Sequence, residues 1–242
     1  MLSNSYRHSA SSANKYYESP SAWLYRYGFD VKEKTNDKMA RGLASEVGAN
    51  AGLTQNLTEK QIHKAAVDEF DKIYDGKRSD ERSYVGPTAY NFVCGLREFG
   101  KPLTYQDKLL KQVSGLNREI IGYTDFGYED LIVDTKATLA CPSNIFGFRQ
   151  AAAVRQQAVY AKLSGKKTAL LYATPRKFAL YRVPLYLIER GWVIMFDAFK
   201  AIEALDNLVI TPEEAAKIIP LNPDSFYWTD ESYKLAQEKW SS

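Results

Sequence analysis

Apolar residues in the first half of the chain recur at helical spacing. Between residues 36 and 53, Met39, Leu43 and Val47 follow at four-residue steps, which predicts an amphipathic helix with these three on its apolar stripe. Glu46 lies beside that stripe, so the helix aims a carboxylate near the core. Residues 57–74 repeat the pattern with Ile62, Ala65, Ala66, Phe70 and Ile73 behind an N-cap candidate, Thr58, and the polar run 75–80 breaks it as a surface loop. A further helix is expected over 87–99, ended by Gly100 and Pro102. Ahead of all these, hydroxyl caps at 9–12 and the Ser19-Pro20-Ser21 punctuation mark two short helices.

The period changes after a polar connection. Residues 119–128 and 131–138 are rich in β-branched and aromatic types with turn-formers between them, which reads as a β-hairpin. An alanine- and glutamine-rich segment, 146–163, is the clearest helix and stops at Ser164-Gly165. Two more strands follow, 168–174 and 178–183, turning at Pro175-Arg176-Lys177. Near the end, Thr211-Pro212-Glu213-Glu214 is a capping box that opens a short helix closed by Pro220, and Trp228 and Trp240 suggest a packed tail. The order helix, strand, strand, helix, strand, strand makes the fold class α/β, in the α+β sense.

Length and charge narrow the function. The 242 residues, 45% of them apolar, suffice for a sizeable core, and one elaborated domain is expected over 1–242. With 32 basic and 29 acidic residues the chain is no polycation, so any nucleic-acid contact must be a local groove. Cys94 and Cys141 cannot supply a four-thiolate cluster or a disulfide framework, which fits a reduced, cytoplasmic protein. No apolar run approaches the roughly 20 residues that span a bilayer, so no membrane partner is expected.

The hairpin carries the chemistry. Residues two apart in a strand share a face, so Asp134 and Lys136 project together while Thr135 points away, its backbone carbonyl still available as an oxygen ligand. Asp125, near the end of the first strand, lies across from this region if the hairpin is antiparallel. Carboxylates converging on a divalent cation beside a lysine suit phosphodiester hydrolysis. Asp-x-Lys alone is weak evidence, because it recurs at Asp30–Lys32 and Asp75–Lys77, and a structural ion pair is the competing reading. Glu46 near an apolar stripe and Gln156, four residues before Tyr160 on the long helix, are the further polar residues that need an explanation.

In their order these residues resemble the PD-(D/E)XK nuclease superfamily, in its RecB-like and lambda-exonuclease-like branches. The matching elements are Gly42 with Glu46, Asp125 in Gly-Tyr-Thr-Asp-Phe, Asp134-Thr-Lys136, and Gln156-Gln-Ala-Val-Tyr160; the serine-rich start at 9–20 is similar as well. Ser19 stands where a cysteine usually precedes the proline, so no iron–sulfur cluster is expected. The resemblance implies a restriction-endonuclease-like core, a central mixed β-sheet flanked by helices in the order αβββαβ, with helical additions: a helical part over about 1–115, a catalytic core over about 116–185 and a helical extension over about 186–242.

By the same resemblance, Glu46, Asp125, Asp134 and the Thr135 carbonyl would ligate one or two Mg²⁺ or Mn²⁺ ions. Lys136 would position or activate the attacking water, its pKa lowered by desolvation and the metal. Gln156, Tyr160, Ser11 and Arg41 would support the site or the DNA. Arg149, Arg155, Lys162, Lys166 and Lys167 are candidates for phosphate contacts, with solvated surface charge the stronger reading of any one of them, and Tyr16, Tyr17 and Trp23 are candidates for base stacking, with packing the stronger reading of most aromatics. The function implied is a metal-dependent DNA exonuclease of recombination, replication or repair, of a kind often encoded by phages. Any helicase or strand-annealing partner would be a separate chain, and homo-oligomers are compatible with the family. An endonuclease of the superfamily, or a DNA-binding protein that kept the fold without catalysis, are the alternatives.

Overall fold

The computed structural model describes every residue except Asn4, Glu33, Gly76, Lys77 and Ser242. The 75–80 loop and one of the spare Asp-x-Lys matches therefore lie partly outside the described residues. The helices are α1 (Ala10–Glu18), α2 (Pro20–Trp23), α3 (Asp37–Thr54), α4 (Glu59–Ile73), α5 (Arg82–Leu96), α6 (Ala151–Ser164), α7 (Leu185–Leu208), α8 (Pro212–Ile218) and α9 (Asp230–Ser241). The strands are β1 (His8–Ser9), β2 (Thr104–Lys111), β3 (Ile120–Gly127), β4 (Leu131–Ala137), β5 (Lys167–Ala173) and β6 (Phe178–Arg182). Among the described residues, no helix is long and apolar enough to cross a membrane.

The chain divides into two compact units, one of residues 1–33, 109–122 and 189–242, the other of 34–108 and 123–188. In the second unit the strand order is β3-β4-β5-β6, with β2 also on β3; β3 and β4 are antiparallel, β4 and β5 parallel, β5 and β6 antiparallel. The parallel pair needs a crossover, and α6 supplies it. The central mixed sheet flanked by helices is the expected fold class, and β2 is the third strand before α6.

Strand alternation sorts the β4 residues between two faces. Leu131 and Val133 join Ala169, Leu171 and Ala173 of β5 in a core with α3, α4 and α5. Asp134, the next residue after Val133, faces the other way with Lys136, toward α6, where Lys136 reaches Gln156. Asn36 caps α3 by accepting from the Met39 N–H at 2.9 Å, and Gly165 ends α6 in the left-handed region at φ 76°. Thr211 and Glu214 form the expected capping box on α8.

Three expectations need correction. The buried face of α3 is Ala40, Ala44, Gly48 and Gly52, whereas Met39 and Leu43 are 46% and 49% exposed. The cause is close helix packing: a Cβ on Gly48 would stand 2.5 Å from the Ala66 Cβ of α4, so only small residues fit there. The sequence predicts a polar connection where β2 lies, because the side chains of this strand are mostly exposed and an edge strand has no need of apolar alternation on its open face. Finally, α6 begins at Ala151, so Phe146 belongs to a loop and Phe148 to a short 3₁₀ turn.

In the first unit, β1 pairs in parallel with Ile120 and Ile121 of β3. Buried His8 gives or shares a hydrogen bond with Glu203 of α7 at 3.0 Å, and Glu203 also accepts from the N–H groups of Asn117 and Arg118. Leu2, Trp23 and Leu24 pack with Ile202, Leu205, Val209, Ala215 and Ile219, which fixes the C-terminal part as packed structure.

Candidate active site

Glu46, Asp125, Thr135, Asp134, Lys136, Gln156 and Tyr160 all belong to the second unit. The β3–β4 pairing runs through Gly127–Ile132 and Phe126–Val133. One residue earlier, Asp125 accepts from the Thr135 N–H at 2.7 Å and from the Thr135 hydroxyl at 2.9 Å, so its side chain takes over from the backbone ladder. The Thr135 hydroxyl also lies 2.9 Å from Glu46 Oε1, which brings the α3 carboxylate to the same point.

The other half of the site lies on the α6 face of β4. Lys136 Nζ stands 2.6 Å from Asp134 Oδ2 and donates to Gln156 Oε1 at 3.1 Å, and Gln156 donates to the Tyr160 hydroxyl at 2.7 Å. The i, i+4 spacing on α6 is what sets the amide and phenol side by side. The order Asp134, Lys136, Gln156, Tyr160 is thus a continuous polar chain. Gln157, fully buried, is a further amide beside Asp134.

Three buried carboxyls lie near one half-buried cation, and their acidities respond. Burial, then the nearby Glu46 charge, pushes Asp125 up to about 8. Burial pushes Asp134 up to about 7 against the pull of Lys136. Glu46 is raised, chiefly by burial. Burial alone would lower Lys136, but Asp134 and Asp125 outweigh it and hold the ammonium protonated above its ordinary range.

The same facts bear on a cation in two ways. Charged carboxylates crowded in a dry site are destabilised, and a divalent ion relieves that as no single lysine can. Asp134 also keeps acceptor capacity that no hydrogen bond fills. Even so, among the described residues no group of three or more His, Cys, Asp and Glu side chains gathers closely enough to hold a metal. Glu46 and Asp125 meet at Thr135, while Asp134 sits with Lys136.

Other expected site residues lie elsewhere or are otherwise engaged. Arg41 is buried in an ion pair with Glu81 and donates to the Ala137 carbonyl at 3.3 Å, so it braces the end of β4 and is not presented to a ligand. Ser11 is exposed on α1, in the first unit. Trp23 is fully buried with its indole N–H on Ser12 and cannot stack on a base, and Tyr16 packs edge-on against it; Tyr17 is half exposed. Arg155 is buried too, whereas Arg149 is exposed; Lys166 donates to the Tyr128 carbonyl and Lys167 pairs with Asp130.

One residue escaped the sequence reading altogether. Gln106 of β2 has a left-handed φ of 52° and donates to Glu46 Oε2 at 3.0 Å. A non-glycine residue in that region costs roughly 1–3 kcal/mol, and strain of this kind is held where the surroundings demand it. Nothing in a polar edge strand signals it.

A mixed α/β fold with buried acids at diverging central strands is the class that fold and site define. In particular, the chain is similar to the crystal structure of a protein named "Putative exonuclease" from Eubacterium rectale, at TM-score 0.57 and 13% identity over 94% of this chain and 87% of that one. At that identity the likeness is one of fold. A second solved structure, SSO0001, matches at 12% identity over 84% of this chain and 96% of that one, with a TM-score of 0.35 that carries no argument. No family model and no curated protein matches the chain.

Proposed function

We propose that this chain is a metal-dependent DNA nuclease of the PD-(D/E)XK kind, and that it acts as an exonuclease. The observation that carries the reading is the pair Glu46 and Asp125 meeting at Thr135 on one face of β4, with Lys136 held between Asp134 and Gln156 on the other. The fold likeness to a protein named as an exonuclease supports it.

Glu46, Asp125, Asp134 and the Thr135 carbonyl would hold Mg²⁺ or Mn²⁺. When bound, such an ion polarises the phosphoryl oxygens and acidifies water. The chain's own residues do the rest. Lys136, kept as an ammonium by its acidic neighbours, offers positive charge to a phosphate and is no proton acceptor in this state. Gln156 and Tyr160 fix where that ammonium points. Binding of the ion would replace the protons that Asp125 and Asp134 carry near neutrality.

The test is cleavage of end-labelled linear DNA with and without Mg²⁺ or Mn²⁺, alongside circular single strands. Asp134→Ala and Lys136→Ala are each expected to lower the rate by roughly a hundredfold or more while circular dichroism stays that of the parent. Full activity in either variant removes the proposed site. Cleavage of circular strands selects an endonuclease, and DNA binding without metal uptake or cleavage selects the non-catalytic alternative.

A further inference from the structure

The charge of the chain is segregated. Residues 136–188 contain nine Lys and Arg and no Asp or Glu, which leaves 23 basic against 29 acidic residues elsewhere. A near-neutral total thus hides an acid-free stretch of 53 residues that begins at the catalytic lysine candidate.

Within that stretch, the loop between β4 and α6 starts just past Lys136 and runs into the helix that holds Gln156. Both its ends are therefore anchored at the candidate site. It carries Leu139, Phe146 and Phe148, which are 58%, 64% and 87% exposed. Apolar rings this bare are out of place unless something covers them. The loop is also pinned in place. The Thr138 N–H donates to the Ala173 carbonyl at 2.9 Å, the Tyr181 hydroxyl donates to the Pro142 carbonyl, and Ile145 is buried. The Cys141 thiol approaches the Lys177 carbonyl at 3.8 Å, which sets the loop against the β5–β6 turn. In that turn the Thr174 hydroxyl accepts from the N–H groups of Arg176 and Lys177, and both side chains are exposed. Arg149, next to Phe148, is exposed as well.

We propose that this loop and turn bind single-stranded DNA beside the catalytic groups: Phe146 and Phe148 stack on unpaired bases, and Arg149, Arg176 and Lys177 meet the phosphates. The inference rests on the nuclease reading for where the strand leads. Rings stack only on base faces that the stack of a duplex has not covered, and cations on a stretch of chain without acids favour a polyanion. A duplex would use the cations and leave the rings bare.

The experiment is fluorescence anisotropy of a labelled oligothymidylate and of a blunt duplex, in EDTA so that no cleavage intervenes. Phe146→Ala with Phe148→Ala is expected to weaken oligothymidylate binding roughly ten- to a hundredfold and duplex binding less than about twofold. Phe148→Trp should keep parental affinity. Arg176→Ala with Lys177→Ala should flatten the salt dependence for single strands by about 1.4 in the log–log slope. Parental oligothymidylate affinity in the double phenylalanine variant overturns the proposal, as does an equal loss for duplex. Loss of self-association in that variant at unchanged oligonucleotide affinity also overturns it, because the rings then cover another copy of the chain. If the parent cleaves no DNA while ring-dependent binding persists, the nuclease reading falls and this surface stands.

Discussion

Thr135 separates two charge clusters that strand alternation places on opposite faces of β4. Its hydroxyl and N–H serve Asp125 and Glu46, while Asp134 and Lys136 face α6. A consequence is testable without any metal. Asp125 in the folded chain titrates at about 8, above its ordinary value of 3.8. Between those values the native state binds more protons than the unfolded state, so this group makes stability fall as pH rises from about 4 to 8. Asp125→Asn removes the penalty. In EDTA the variant should gain roughly 1–3 kcal/mol relative to the parent at pH 8, and the gain should shrink toward pH 5, in urea unfolding at both pH values. An equal difference at the two pH values would show that burial of charge is not the cause. The individual carboxylates and Lys136 were legible in the sequence. Their grouping into two pairs was not, because it depends on the point at which β3 parts from β4. Gln106 was illegible for a related reason, since its role depends on a local backbone twist.

At the scale of elements, α3 shows how a correct helix can be given the wrong face. Met39, Leu43 and Val47 form the more obvious stripe, yet the buried one is Ala40, Ala44, Gly48 and Gly52. Small residues let α3 approach α4 and α5 closely, and backbone proximity then supplies the contacts that large side chains would otherwise make. Glu46 is buried as expected, but through packing on the alanine–glycine side. Gly48→Ala should therefore cost roughly 1–3 kcal/mol, since its new Cβ meets Ala66 at 2.5 Å, while Met39→Ala should change stability by less than about 0.5 kcal/mol. Denaturant midpoints of the two variants decide the matter, and the reverse order would restore the first stripe. Gly127 makes the same point in the sheet, because a Cβ there would run into the Thr104 side chain of β2.

At the scale of the whole molecule, charge placement matters more than charge total. The acid-free stretch of 136–188 is balanced by acids elsewhere, several of which are structural. Burial pushes Glu203 up, but the Asn117 N–H, His8 and the Arg118 N–H outweigh it and leave the carboxyl below its usual range. Asp206 is likewise depressed, burial being outweighed by the Leu2 N–H, Arg118 and the N-terminal ammonium. Groups with depressed folded values contribute stability that is present above their unfolded pKa and lost as pH falls through the folded one. Thermal melts should thus drop steeply on acidification below about pH 4.5, and Glu203→Gln should lower the melting temperature at pH 7 while flattening that acid limb. A variant with an unchanged acid limb would remove Glu203 from the account.

Local chemistry in the sequence determined the elements with strong signals: the helices of 36–53 and 57–74, the β-rich hairpin, the long helix into Gly165, and the Thr211 capping box. It also marked Asp125, Asp134, Lys136, Gln156 and Glu46, because polar residues in apolar settings stand out before any fold is known. What touches what was decided by the tertiary structure. Packing distance chose which face of α3 is buried, strand divergence put Asp125 on Thr135, and burial raised the carboxyls while their charges held Lys136 protonated. The exposure of Phe146 and Phe148 was decided there too, since a sequence carries hydrophobicity but not the neighbours that would cover it.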